Sequence, residues 1–168
     1  MRRYTIKNIS MNNFNFICNG HLSLKNELGA PISRVSIRTA AHGRPISLTL
    51  WRSENIGLRI QSVMKDITER MEVGVLTFAL VGSIFPDERV IQLPDVFNRS
   101  LKVTKLIIAE SGVCVDSGIM LQAIDGHQIT IVAGVSPFTL AIKGGGVEEL
   151  HIFEPEYPLE KYTMVPMT

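Results

Sequence analysis

The sequence predicts an all-β protein, a two-sheet antiparallel sandwich or flattened barrel of about ten strands. Its 168 residues include 43 Ile, Val and Thr against eight Ala, and branching at Cβ favours strands over helices. Short stretches alternate between apolar and polar residues, and turns containing glycine or proline separate them. At 45% hydrophobic residues, the chain can bury one core. We therefore expect a single β domain over residues 1–153 and an extended C-terminal tail over 154–168.

The first clear elements are two strands joined by a short polar loop. Alternate positions in 46–52 are apolar, and 56–61 repeats the same period of two. Residues 71–81 begin with one apolar face and end with two, which is typical of a central strand. A short helix is the alternative for 62–70, because apolar residues around this segment also recur at intervals of three and four.

A hairpin is predicted at Asp125 and Gly126, a dipeptide that tolerates the positive φ of a type I′ turn. If these two residues form the whole loop, Ile124 lies opposite His127. Both faces of the ribbon are then largely apolar. We expect both to be covered, one by the second sheet and the other by a loop, a helix or a neighbouring subunit.

Further segments have the composition and bounding turns of short strands, and no alternating helices separate them. These segments are 14–18, 32–38, 90–93, 102–110, 113–115, 139–143 and 150–153.

Charge is distributed unevenly along the chain, although the net charge is only +1. Residues 1–52 carry eight Lys or Arg against one acidic residue, and residues 111–168 carry two against seven. The two parts can fold onto one another, or they can form a partner site or a subunit contact. The small net charge by itself predicts no strong attraction to nucleic acid or to an anionic membrane.

Cys18 and Cys114 fit no metal-binding spacing and are expected to be free thiols in a reducing compartment. The basic start of the chain is followed by polar residues, where a signal peptide needs an apolar run. No apolar run approaches the ~20 residues that cross a bilayer. These features favour a cytoplasmic protein that is not inserted in a membrane.

The best small constellation is the loop containing His42 and Arg44, which combines a titratable ring, a fixed cation and glycine flexibility. An anion or carboxylate site requires such groups. Trp51 lies in the same basic third of the chain, where it could act as a stacking platform for a base or a sugar. The plainer interpretations are a surface turn and a buried tryptophan. No closely spaced ligand set predicts a metal, and we expect no cofactor.

The leading functional hypothesis is a non-catalytic module that contacts a protein partner or assembles with its own copies through an apolar sheet face. The first alternative is a small hydrolase or isomerase, in which His42, His127 or His151 works with Asp116 or Glu110. The second alternative is binding of single-stranded nucleic acid by the basic N-terminal third. The sequence indicates no class of small-molecule ligand, and the lack of a convincing catalytic set favours the first hypothesis.

Overall fold

The computed structural model describes residues 12–150 and 152–168, and it confirms the all-β fold as two sheets of six strands each. The strands in this part of the chain are β1 (Asn12–Phe14), β2 (Ile17–Cys18), β3 (Arg34–Thr39), β4 (Pro45–Ser53), β5 (Ile56–Thr68), β6 (Met71–Val81), β7 (Arg89–Gln92), β8 (Lys102–Glu110), β9 (Val113–Gln122), β10 (Gln128–Ala133), β11 (Leu140–Gly144) and β12 (Thr163–Pro166). The helical elements described are α1 (Leu24–Gly29) and short 3₁₀ helices at Asp95–Phe97, Val147–Glu149 and Leu159–Lys161.

The two sheets are antiparallel except where the N-terminal strands join them. The first sheet has the order β11-β10-β9-β8-β12, and β1 pairs in parallel with the start of β9. The second sheet has the order β2-β6-β5-β4-β3-β7. The chain crosses between the sheets at Phe16, whose N–H donates to Asp116 Oδ2 at 3.1 Å. This crossing links the sheets along one side of the sandwich.

The main hydrophobic core lies between the two sheets. Among its fully buried side chains are Leu48, Ile60, Phe78 and Phe97. Burying a side chain of this size stabilises the fold by roughly 1.5–3 kcal/mol. The core is large enough to hold the two sheets together without a disulfide, and Cys18 and Cys114 are free thiols, as expected.

The hairpin predicted at Asp125 and Gly126 is present, but its predicted register is wrong by one residue. His127 lies opposite Ala123 rather than Ile124, and the Ala123 N–H donates to the His127 carbonyl at 2.8 Å. Gly126 has φ +93° and its N–H donates to the Ala123 carbonyl. The loop therefore has three residues, a turn closed by a left-handed glycine, instead of two.

The observed register gathers large apolar side chains of this hairpin on its core face. They are Ile119, Leu121, Ile129 and Ile131. The opposite face includes Val132, which is fully buried in a second cluster with Tyr162. The covering on both sides that the sequence predicts is thus present, and the chain's own C-terminal segment supplies the outer cover.

The helix considered for 62–70 is not formed, because β5 continues as a strand to Thr68. Val63 and Ile67 pack in a third cluster with valines of β6 and β9. The ladder to β6 is unbroken as far as Asp66. β-Branched side chains on both strands favour this extended pairing, and they outweigh the helical spacing of the apolar residues.

Residues 154–168, here called the C-terminal belt, cross the outer face of the first sheet. The belt begins at an isolated bridge between Gly134 and Pro155 and ends where β12 pairs with β8. Between these points Tyr162 is buried against the sheet. The predicted tail therefore lies on the body and adds an edge strand to it.

Two elements, a strand near residue 150 and a membrane-spanning helix, are not found in the described residues. The strand considered at 150–153 is absent at Leu150, Ile152 and Phe153, and His151 lies outside the described residues. None of the helices in the described ranges is long and apolar enough to span a bilayer.

Candidate functional site

The loop between β3 and β4 brings His42 and Arg44 together, as their spacing predicts. His42 Nδ1 accepts a hydrogen bond from the Arg44 backbone N–H at 3.2 Å. Arg44 Nε lies 2.7 Å from Glu154 Oε2, across a cleft of about 190 Å³ that Ile152 also lines. The carboxylate already balances the guanidinium charge, so this cleft has no free cation from Arg44 to offer an anion. An anion site at His42 and Arg44 stays a prediction.

Trp51 does not belong to this cleft. Its side chain is fully buried, and its Nε1–H donates to Ser36 Oγ at 2.8 Å. Ser36 Oγ in turn donates to Glu88 at 3.4 Å, and the Arg34 guanidinium lies 5.8 Å from the indole ring. A satisfied indole within the protein presents no face on which a base or a sugar could stack.

Carboxylates pair with three of the four arginines that the structure describes in the basic third. Arg38 contacts Asp87 at 2.7 Å, and Arg52 pairs with Glu27. Together with the Arg44 contact, these pairs reduce the uncompensated positive charge of residues 12–52. Arg2, Arg3 and Lys7, which also contribute to the predicted basic third, lie outside the described residues.

Among the described candidates, His127 and Asp116 lie in separate places. His127 Nδ1 contacts Asp125 Oδ2 at 2.7 Å on an exposed turn, and hydrogen bonds from His127 lower the pKa of Asp125. Asp116 is buried and contacts Lys105 Nζ at 2.9 Å. Over residues 12–150 and 152–168, no group of three or more His, Cys, Asp or Glu is placed to hold a metal ion.

A buried polar cluster that the sequence did not predict surrounds Gly74, where β6 meets the first sheet. Glu156 of the C-terminal belt accepts the Gly74 N–H with Oε2 at 3.0 Å, and Ser117 Oγ donates to the Gly74 carbonyl at 2.8 Å. The hydroxyls of Ser62 and Tyr162 are buried without a hydrogen-bond partner among the described residues. Burial raises the pKa of Glu156, although the bond from Gly74 opposes this effect.

The same contacts determine which backbone groups of β6 point away from β5. Phe78 O accepts from Asn19 N at 2.9 Å, and both backbone groups of Gly74 bond to side chains outside β5. Because hydrogen-bonding direction alternates along an antiparallel strand, the even-numbered residues of β6 face away from β5. The pairing of Gly74 with Met64 then turns the even-numbered residues of β5 away from β6.

This alternation leaves an open edge on β5. The ladder between β4 and β5 extends along β5 only to Ile60, which pairs with Leu48. In this register Ile46 of β4 comes opposite Ser62, which is only 4% exposed. Beyond Ser62, the backbone N–H and C=O groups of Met64 and Asp66 face a side with no paired strand in the described part of the chain. We call residues 64–66 the open edge of β5.

An apolar cleft of about 290 Å³ lies at the start of this open edge. Its lining combines Ile46 at the start of β4, Gln61 to Val63 of β5, and Phe138 from the loop between β10 and β11. The cleft therefore lies where a longer β4 would continue along β5. An added strand could place one side chain in it.

Phe138 reaches the cleft from a strained turn. Thr139 N donates to Ser136 O at 3.2 Å, Pro137 occupies the second position of the turn, and Phe138 has φ +61°. A type II turn normally places glycine at this position, because a side chain there costs roughly 1–2 kcal/mol. The phenyl ring is nevertheless 58% exposed, so its burial in this chain does not account for the strain. Strain of this kind clusters at functional sites.

Two other edge strands, β12 and β7, are less suited to accept a strand. Met167 N donates to Val103 O at 3.0 Å, so in β12 the even-numbered residues face outward, and Pro166 offers no N–H there. β7 has only four residues. Short strands and edge prolines are common protections against edge pairing.

The chain matches no known family model, no curated protein and no solved structure.

Proposed function

We propose that this protein is a non-catalytic interaction module that binds an extended segment of a protein partner along the open edge of β5. The observation that carries the proposal is the pair of outward-facing residues Met64 and Asp66, whose backbone groups have no paired strand. A strand added to a sheet edge gains main-chain hydrogen bonds from such groups, and pockets for its alternate side chains provide specificity.

The cleft beside Phe138 supports this mode of binding. A strand running antiparallel to β5, as β4 does, would pair with Met64 and Asp66. Where it meets the start of β4, it would place an apolar side chain in the cleft between Ile46 and Phe138. Exposed aromatic side chains at a pocket are frequent anchors in protein interfaces. The strain at Phe138 is then offset by the contact that it makes with the partner.

The test uses an uncharged, capped probe peptide, Thr-Thr-Thr-Ile-Thr-Val-Thr, titrated into ¹⁵N-labelled protein. We expect amide shifts concentrated at Met64 and Asp66. Met64→Pro should weaken binding at least tenfold, because proline removes an outward N–H and leaves the ladder to β6 intact. The matched control is Val90→Pro on β7, an edge position that also faces outward, since Leu93 N donates to Ser33 O. It should bind the peptide as the unaltered protein does.

A second variant covers the case in which Met64→Pro disturbs the fold. Phe138→Ala changes only the anchor and should also weaken binding at least tenfold. No shifts along the open edge with millimolar peptide, or equal weakening by Val90→Pro, would show that the proposed function is wrong.

A further inference from the structure

The two charged residues at the far end of the open edge have no ionic partners. Neither Lys65 nor Asp66 has an oppositely charged atom within 4.0 Å in the described residues. They are adjacent in β5, so their side chains project to opposite faces of the ribbon. Each face of this edge therefore carries one uncompensated charge.

The cross-strand neighbours on β6 increase this imbalance. Asp66 lies directly opposite Glu72, and both residues are exposed. Like charges at directly opposed positions destabilise a β ladder. On the other face, Lys65 lies opposite Val73, which is fully buried and carries no charge. One face of the ribbon thus lacks a cation, and the other lacks an anion.

Resting on the proposed function, we infer that the partner segment has a basic residue opposite Asp66, an acidic residue opposite Lys65, an apolar residue opposite Met64 and a second apolar residue in the cleft beside Phe138. In an antiparallel segment the order from the N-terminus is basic, acidic, apolar, any residue, apolar. The second of the two apolar residues enters the cleft beside Phe138, and the first packs against Met64. The basic residue separates the charges of Asp66 and Glu72.

The same charges disfavour symmetric pairing with a second copy of this chain. Pairing of two β5 edges about Met64 would bring Asp66 opposite Ser62, beside the apolar cleft. Pairing about Lys65 would oppose two ammonium groups, and pairing about Asp66 would oppose two carboxylates. Each of these arrangements costs more than pairing with a charge-matched segment. We therefore take the partner to be a different protein.

The test compares two peptides that differ only in charge order, Thr-Lys-Glu-Ile-Thr-Val-Thr and Thr-Glu-Lys-Ile-Thr-Val-Thr. We expect the first to bind on the order of tenfold more tightly at low salt, because it forms two attractive pairs where the second forms two repulsive ones. At 1 M salt the ratio should shrink towards one.

The matched variant is the double substitution Lys65→Glu and Asp66→Lys, which leaves the cleft and the outward backbone groups unchanged. It should reverse the order of the two affinities while binding the uncharged peptide as before. Equal affinities of the unaltered protein for the two charged peptides, with the uncharged peptide still binding, would overturn the inference alone. If the uncharged peptide also fails to bind, the proposed function fails with it.

Discussion

At the scale of single residues, Glu156 places a carboxylate where the C-terminal belt meets β6. Its Oε2 accepts the Gly74 N–H, and Tyr162 nearby has an unpartnered hydroxyl. Burial raises the pKa of Glu156, and burial together with the Glu156 charge raises the pKa of Tyr162. The carboxylate connects the belt to the second sheet. Burial makes the ionised form of Glu156 less stable than it is in water.

This cost predicts how Glu156→Gln changes the free energy of unfolding with pH. The raised pKa means that the folded protein holds the Glu156 proton to higher pH than the unfolded chain does. The free energy of unfolding therefore falls as pH rises from the ordinary glutamate range through the raised value. Glutamine keeps an acceptor for the Gly74 N–H and has no proton to lose.

Urea unfolding of the two proteins between pH 4 and pH 8 measures this effect. Glu156→Gln should gain stability relative to the unaltered protein as pH increases. A difference that is constant with pH, or that changes in the opposite direction, would show that burial does not raise this pKa.

Phe138 provides a second test at the residue scale. Alanine is usually a more stabilising substitution than glycine, but the φ of +61° at this position reverses that order. Phe138→Gly should be more stable to denaturant than Phe138→Ala by about 1 kcal/mol, since only glycine adopts this conformation without strain. Neither variant should retain the peptide affinity of the phenylalanine. An alanine variant at least as stable as the glycine variant would contradict the strained turn.

Sequence alone predicted the pairing of His42 with Arg44, because two residues within one tight loop are necessarily close. It could not predict Glu154, which lies 110 positions away and reaches Arg44 only after the C-terminal belt is in place. Trp51 was ambiguous for a similar reason. A tryptophan on a strand is buried or exposed according to what covers its face, and here Ser36 and Arg34 come from a neighbouring strand.

At the scale of elements, turn chemistry located the hairpin at Asp125 and Gly126 but not its register. Glycine with positive φ suits both a two-residue loop and a three-residue loop, and these differ by one residue in pairing. The segment 62–70 was ambiguous because the spacing of its apolar residues suits both a helix and a strand. Pairing with β6 decided between them, and the spacing of the apolar residues within the segment does not show that pairing.

The alternation along β5 predicts opposite effects of proline at two adjacent positions. Val63 faces β6, so Val63→Pro removes a ladder hydrogen bond and leaves an acceptor on β6 unpaired. Met64→Pro removes only an outward N–H. Thermal and chemical unfolding should find Val63→Pro less stable than Met64→Pro by at least about 2 kcal/mol. The opposite order would mean that β5 presents its other residues at the open edge.

At the scale of the whole molecule, the two sheets approach each other closely at Gly74. A Cβ added there would lie 2.4 Å from the Ala133 Cβ and 2.8 Å from Ser62 Oγ. Gly74→Ala should therefore lower the free energy of unfolding by about 1–3 kcal/mol through overpacking. Gly82→Ala is the matched control, because its nearest contact would be 3.7 Å away. Equal stability of the two variants would contradict the close approach of the sheets at Gly74.

The sandwich itself was predictable because period-two alternation and turn residues are local features that act along every strand. The open edge was not, because it depends on where β4 ends relative to β5. Pro45 begins β4 beside a bulge with β3, and that geometry is set by pairing across the sheet. A strand can be recognised from its own residues, whereas the absence of a neighbour cannot.

Amide hydrogen exchange in dilute protein tests the central claim most directly. The amides of Met64 and Asp66 should exchange rapidly, while those of Val63 and Lys65, bonded to β6, should be slow. Adding the uncharged peptide should slow the first set and leave the second unchanged. Strong protection of Met64 and Asp66 in the free, dilute protein would mean that this edge is already occupied, and it would contradict the account.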